Sequence, residues 1–434
     1  MIEEASTVDT PKARWLCLSA VLLLCITTFF NMFKAPPLFG AFTDPSRPDH
    51  ASFGFTSQNV GLLISALGIA DIFFAVPAAL LLNKLGPRRT LFVTGAAVIV
   101  GSLGGAVAEN FHWLFATRLI EGMGVSLVSV SAPALTFAIA PKRQRGLAMG
   151  LFGAMAPLGT VIAMIVAPRL YDSFGSWRLV WIVGAIVAAA AVVYTFIVFH
   201  PLESPMSTGL STHDAPHTPS VPIRRKTVLT VVALAVVFFC WNVFWTGSYN
   251  GFFSQFLFST HLRTLSFAGM MVSISSAVSI LASPVCGTFI DHRGHRKTVL
   301  VLALLLTAML NIFAWIGDGS VVWIAIVGFG LCAGAVPLVV LRMGQDAAWS
   351  QHSVAIVIAF LSISMDLGMV VGSAVFPLIR AHLDGSWVGT VWTLVIPALL
   401  LGMLSVLLIP GRASVVLPHD GCANEVIHSG ESDV

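Results

Sequence analysis

Runs of roughly 18 or more apolar residues recur along this 434-residue chain, separated by short charged or Pro/Gly-rich breaks. Wound as a helix, each run is long enough to cross the roughly 30 Å hydrocarbon core of a bilayer. Lipid offers the backbone no hydrogen-bond partner, so every run must satisfy its own N–H and C=O groups, as a helix does. A spanning β-barrel would instead show short segments of alternating polarity, and none is visible. Only 10% of the residues are charged and 57% are hydrophobic, with a mean hydropathy of +0.90. That is too little charge to cover a soluble surface. The pattern predicts an all-α membrane protein with twelve transmembrane helices, near 15–40, 58–82, 90–108, 112–139, 146–168, 177–199, 227–256, 265–286, 298–316, 321–341, 354–378 and 388–409.

The least apolar internal stretch is HPLESPMSTGLSTHDAPHTPSVPIRRK, residues 200–226. Rich in Pro, Ser, Thr and His, it cannot bury enough surface to fold alone. It predicts a cytoplasmic linker between an N-terminal six-helix bundle, 1–199, and a C-terminal one, 227–412. Residues 413–434 predict a disordered tail. Placing the N-terminus in the cytoplasm puts sixteen of the 23 Lys and Arg residues inside, in clusters such as Arg88/Arg89, Lys142/Arg143/Arg145 and Arg224/Arg225/Lys226. Only Arg47, Arg169, Arg263 and Arg380 fall outside. This asymmetry orients both termini to the cytoplasm of an inner or plasma membrane. The polar start MIEEASTVDTPKAR passes directly into a span, unlike a cleavable signal peptide.

The chain also repeats itself at an offset of about 210 residues. ALLLNKLGPRR (79–89) matches GTFIDHRGHRK (287–297), and FNMFK (30–34) matches WNVFW (241–245). GSW recurs at 175–177 and 385–387, and PLGTVIAMIVAP (157–168) matches DLGMVVGSAVFP (366–377). A duplicated six-helix unit places substrate between the halves near the bilayer midplane. The loop after the second span resembles the signature of the major facilitator superfamily, G-x-x-x-D-(R/K)-x-G-x-(R/K)-(R/K). The second copy carries Gly287, Asp291, Gly294, Arg296 and Lys297, with His292 at the first basic position. The first copy carries Gly86, Arg88 and Arg89, with Ala79 for Gly and Asn83 for Asp. RLIEGMG (118–124) is similar to the family's fourth-helix motif R-x-x-Q-G-x-G, with Glu121 in place of Gln.

The NMFKAPP and LGPRRT wording resembles the cyanate and nitrate/nitrite permease-like branch of anion carriers. The resemblance implies two pseudo-symmetric six-helix bundles working by alternating access. It also implies a gating role for Asn83, Gly86, Arg88, Arg89, Asp291, Gly294, Arg296 and Lys297. Carboxylate, helix-dipole and basic groups at that face can hold helices together in one state and release them in another. Anchoring to an anionic leaflet is the simpler alternative.

Charged side chains at mid-bilayer cost at least roughly 2.5–3.5 kcal/mol, so each should face a cavity or a partner. They are Lys34, Asp71, Arg118, Glu121 and Asp366. Arg118 and Glu121 stand three residues apart on one helical face. The resemblance turns this arginine toward the cavity, whereas a self-cancelling buried pair is the structural alternative. Asp71 and Asp366 are lone carboxylates on apolar helices, where ionisation is costly and proton exchange can accompany transport. Asp71, Glu121 and Asp366 are therefore the expected proton-coupling residues. Asn31 and Asn242 are matched by the repeat and predict amides lining a central cavity, unless they serve interhelix hydrogen bonds. Lys34, Arg118, Trp241 and Trp245 complete the expected substrate-binding set. Trp113, Trp177, Trp323 and Trp387 near span ends are expected interface anchors.

Gly153, Pro157 and Gly159 fit the drug/proton antiporter pattern G-x-x-x-G-P-x-x-G-G only at the proline, and more simply allow close helix approach. There is no Walker loop or H-E-x-x-H motif. The six cysteines show no CxxC spacing, and His213-Asp214 with His217 in the linker is a poor metal set. No cofactor, no metal, no enzyme activity and no nucleic-acid partner are expected. The sequence predicts a monomeric secondary carrier of a small organic or inorganic anion with proton symport. Its rivals are a proton-antiporting exporter of hydrophobic drugs or metabolites, and a non-transporting membrane sensor or enzyme.

Overall fold

The computed structural model describes residues 11–46, 55–199, 225–261, 264–293, 295–316, 319–348 and 351–409, with the backbone alone at Pro11, Asn83, Pro87, Lys142, His261, Asp291, His292, Arg293, Gln351, His352 and Ala355. Gly294, the 200–224 part of the expected linker and the expected tail lie outside the described residues. Among the described residues there are helices and no strands.

Twelve helices are long and apolar enough to cross a membrane. We number them α1 (Lys12–Phe42), α2 (Ser57–Leu82), α3 (Arg88–Ala106), α4 (Phe111–Ile139), α5 (Arg145–Phe174), α6 (Trp177–Phe199), α7 (Arg225–Thr260), α8 (Leu265–Ile290), α9 (Arg296–Ala314), α10 (Ser320–Ala347), α11 (Ile356–His382) and α12 (Trp387–Leu408). The expected spans reappear in order. The largest differences are in α10, which continues to Ala347, and in α5, which runs through Pro168 to Phe174 and stops at Gly175 in a left-handed turn, φ 66°.

Local chemistry sets the other ends. Thr56 Oγ1 accepts from the Asn59 N–H, Asn110 Oδ1 from Trp113 and Ser386 Oγ from Gly389, capping α2, α4 and α12. Between α2 and α3 the helix turns at Gly86, φ 75°, a conformation open to glycine at little cost.

Neither repeated helix is regular at its midpoint. In α1, Pro36 and Pro37 bring no N–H, and the chain passes through a bend into a 3-10 turn over Pro36–Leu38. In α7, the matched position opens into a π-helical turn over Trp245–Tyr249. Beyond these points lie Gly40 and Gly251. A Cβ at Gly40 would meet Phe258 of α7 at 2.6 Å, and one at Gly251 would meet Ile64 of α2 at 2.9 Å. The absence of a side chain at both positions lets the first and second six helices touch.

The two sets of six helices meet along α2 with α11, α5 with α8, and the ends of α1 with α7. Thr43 Oγ1 accepts from Gln255 Nε2 at 2.7 Å, Ser254 Oγ donates to the Pro36 carbonyl at 3.3 Å, and Ser266 Oγ donates to Asp172 at 2.6 Å. Lower down, Ser65 and Ser373 share a hydroxyl hydrogen bond at 2.8 Å. Phe39 and Phe252 meet at 6.0 Å between ring centroids. All these contacts lie toward the membrane side that carries Trp177 and Trp387. That side is sealed by the two halves.

Those tryptophans correct one expectation. Trp177 is 1% and Trp387 9% exposed, so they are core side chains and not interface anchors. Trp177 meets Phe42 and Trp181 edge-on, while Trp387 stacks on Trp315 and lies under the Arg380 guanidinium at 3.7 Å. Trp113 and Trp323 are exposed, as membrane anchors would be.

Candidate functional site

The break in α1 leaves work for a cation. Without an N–H on Pro36, the Met32 carbonyl has no helical donor. Arg118 of α4 supplies one. Its Nη2 donates to Met32 O at 2.7 Å, Nη1 to Asn31 O at 2.8 Å, and Nε to Leu63 O of α2 at 3.4 Å. The planar fork of a guanidinium suits several carbonyls at once. Nη1 also binds Glu121 Oε2.

Glu121 has a second partner. Its Oε1 accepts from Lys34 Nζ at 2.7 Å. The ammonium uses its other protons on Asn31 Oδ1, at 2.8 Å, and on Ser102 Oγ of α3. Ser102 donates in turn to Asn31 Oδ1 at 2.9 Å, and the Asn31 amide donates to Thr27 O and Gly184 O. The indole of Trp181 covers the ammonium, with its centroid 4.8 Å away. Lys34 and Arg118 are 0% exposed and Glu121 1%. Two cations therefore share one carboxylate. With all three ionised, one positive charge is left over in the buried network.

The sequence placed these residues around open space, and the structure differs. Lys34, Asn31 and Arg118 are enclosed by α1, α3, α4 and α6, and do not line an open cavity in this conformation. Asn242 is also buried. It donates to Phe238 O at 3.2 Å and accepts from Thr246 at 3.0 Å, so its bonds stay within α7. The repeat is nonetheless visible, because Asn31 and Asn242 each donate to the carbonyl four residues earlier. Trp241 is buried behind Trp245, whose ring is partly exposed and lies between those of Trp241 and Tyr249 at 5.9 and 5.5 Å.

Asp71 on α2 and Asp366 on α11 sit on the contact between the halves. A Cβ at Gly68, three residues before Asp71 on α2, would lie 3.3 Å from the Asp366 backbone carbonyl, so the two residues stand about one helical turn from each other across the α2–α11 contact. Ser126 of α4 donates to the Asp71 backbone carbonyl at 3.2 Å.

The described gating residues, Asn83, Gly86, Arg88, Arg89, Asp291, Arg296 and Lys297, lie at the opposite ends of their helices from the Trp177 side. Arg88 lies over the Phe196 ring at 5.0 Å, and Arg89 is exposed. Arg296 pairs with Asp346 of α10, and Lys297 donates to the Ile409 carbonyl at the end of α12. Each of these contacts stays within its own half. In α5, a Cβ at Gly159 would meet the Phe29 side chain at 2.6 Å and the Ile26 carbonyl at 2.9 Å, so close helix approach explains that glycine.

Twelve apolar helices in two pseudo-symmetric sets of six, meeting toward the Trp177 side, define a multi-pass integral membrane protein of the carrier type. The chain belongs to the Major Facilitator Superfamily, whose family pattern matches residues 16–348 and 246–420. It superposes on a D-xylose-proton symporter with a TM-score of 0.70 at 13% identity, covering 91% of this chain and 97% of that one. A nucleoside transporter gives the same score at 14% identity, over 91% and 100%. At such identities the likeness carries the fold alone. The galactose-proton symporter of Escherichia coli is 28% identical over 153 residues, 35% of this chain and 32% of that protein. The chain thus aligns with only about a third of that relative's length. A multidrug resistance protein B homolog of Mycobacterium tuberculosis is 25% identical over 386 residues, 76% of this chain and 71% of that protein.

Proposed function

We propose that this protein carries a small organic or inorganic anion across the inner or plasma membrane by alternating access, coupled to proton symport. The observation that carries this reading is the surplus positive charge of Lys34 and Arg118 over Glu121 in a buried network. A desolvated surplus cation favours an anion, which would complete the charge balance when the network opens to the cavity. Asp71, Glu121 and Asp366 are the proton-coupling residues of this reading. With residues 1–199 and 227–412 as the two bundles and both termini cytoplasmic, the sealed Trp177 side is external, and the conformation faces inward. The charged clusters at Gly86–Arg89 and Asp291–Lys297 then serve as the cytoplasmic gate of a monomeric carrier.

Reconstituted protein should show saturable, pH-gradient-driven uptake of a small anion. Thermal-shift screening against small carboxylates, cyanate, nitrate and nitrite identifies which one. Replacing Lys34 by Ala should weaken that anion's affinity about tenfold or more, since it removes a direct charge contact worth over about 1.4 kcal/mol. Unchanged affinity removes the lysine from the site.

A second reading is export of hydrophobic drugs or metabolites by proton antiport. It is favoured by the Mycobacterium tuberculosis relative matched over 76% of the chain and by the partly exposed Trp245 between two aromatic rings. Stabilisation by cationic drugs, with none by anions, selects this reading.

A further inference from the structure

We infer that Asp71 and Asp366 form a single proton-holding site shared between the two halves, and that the Trp177 side closes only when this site holds at least one proton. The inference rests on the alternating-access reading and adds where the proton sits and what it controls.

Helices α2 and α11 run antiparallel across the interface between the halves, and their register is fixed by small residues. A Cβ at Gly61 would meet the Ser373 carbonyl at 2.2 Å and Pro377 at 2.9 Å. Ser65 bonds Ser373 and the Val370 carbonyl. At Gly68 the added atom would meet Met369, Val370 and the Asp366 carbonyl. One turn further on, the side chain that follows is Asp71, opposite Asp366. The seal between the halves therefore ends on two carboxyl groups, one from each half.

Asp366 is 7% exposed, and its backbone carbonyl faces Gly68, one turn from Asp71, across the α2–α11 contact. Among the described residues neither carboxyl group has an ion-pair partner. The charged groups on the helices packed against them are committed elsewhere. Arg118 and Glu121 of α4 bind each other, with Lys34 of α1 on the same carboxylate. Arg380 of α11 donates to Gly385 O and covers Trp387, and Asp346 of α10 pairs with Arg296. Arg342 of α10 has its own interaction, and α12 carries no charged residue. On α7, Cys240 is buried and Tyr249 sits among Phe244, Phe253 and Phe329, while Arg225 and Lys226 lie at its start.

Two carboxylates brought together in low dielectric cannot both stay ionised. One shared proton turns their repulsion into a neutral or hydrogen-bonded contact, and its loss pushes α2 and α11 apart at the inner limit of the seal. Moving the halves apart separates the two groups and lets both ionise. A proton taken up there is thereby exchanged for a change of conformation, and the pair links proton binding to closure without touching substrate.

The test uses the full-length protein with its cysteines replaced by alanine and spin labels at Ser173 and Thr260. These are exposed positions on opposite halves at the sealed side. Electron-electron distance measurements in lipid, without substrate, are followed from acid to alkaline pH. The short-distance population should dominate at acid pH and give way to longer distances as pH rises. In D71N/D366N the short population should persist at every pH. D71N and D366N alone should each shift or flatten the response, and they decide the matter if the double variant does not fold. A distance distribution that ignores pH overturns the inference, as does a double variant, or both single variants, with the unaltered pH response. Because no substrate is present, the outcome is independent of whether the cargo is an anion. Failure of anion uptake with an intact pH response would sink the functional reading alone.

Discussion

Lys34, Glu121 and Arg118 are unequal partners, although they share one network. Removing Lys34 leaves Arg118 with its carboxylate and its three carbonyls. Removing the charge of Glu121 leaves two buried cations facing each other. Breaking a buried pair by deleting one partner costs about 3–5 kcal/mol, because the other charge is left uncompensated. Glu121→Gln should therefore lower the melting temperature of the purified protein well beyond Lys34→Met. Equal melting temperatures would mean that the surplus cation is not there. Arg118→Lys keeps the charge but cannot bridge Asn31 O, Met32 O and Glu121 together, and should also melt early.

At this scale the sequence announced which residues were costly to bury but not where their partners were. The spacing of Arg118 and Glu121 was legible because helix geometry alone brings them together. The approach of Lys34 across the bundle to Glu121 was not, since it depends on how α1 leans on α3 and α4. The role of Arg118 as a cap had a signal in the sequence, the Pro36-Pro37 pair, which strips N–H groups from the middle of a span.

Individual helices carry predictions of their own. Restoring an N–H with Pro36→Ala gives the Met32 carbonyl a helical donor and competes with Arg118. Transport should fall while the protein remains folded, measured as uptake against melting temperature. In α2, Gly61 is the closest approach to α11, 2.2 Å for an added Cβ. Gly61→Val should prevent the seal from closing, at a cost of about 1–3 kcal/mol for overpacking. The expected sign is faster thiol labelling of a cysteine placed at Thr43. Unchanged labelling would show that α2 and α11 do not set the closed state. The twelve spans were legible from hydropathy and the repeat, because lipid enforces helices on any long apolar run. The two irregular turns were not placed by hydropathy, which cannot distinguish a 3-10 or π turn from the regular helix around it.

For the whole molecule, the alternating-access reading makes separation of the halves at the Trp177 side the decisive motion. Thr43 and Gln255 touch across that side. Cysteines at both positions, joined by a short bifunctional thiol reagent, should abolish transport, and a cleavable linker should restore it on reduction. Full cross-linking with undiminished transport would exclude movement of the halves there.

By itself the sequence determined the fold, because lipid enforces a helix on each long apolar run and the internal repeat groups the twelve runs into two sets of six. It also named the five charges within the spans, because each is expensive in that solvent wherever it ends up; four of them, Lys34, Arg118, Glu121 and Asp366, are buried. Only the tertiary structure decided what they do for one another. It enclosed Lys34 with Glu121, turned Arg118 onto the broken α1, buried Trp177 and Trp387 in the core, and brought the α2 turn before Asp71 against Asp366 of α11. Burial of a charge is governed by local composition. Its compensation is partly local, as between Arg118 and Glu121. It is also partly set by groups more than eighty residues away, as between Lys34 and Glu121 or Arg118 and the Asn31 carbonyl, which meet only after the helices have packed.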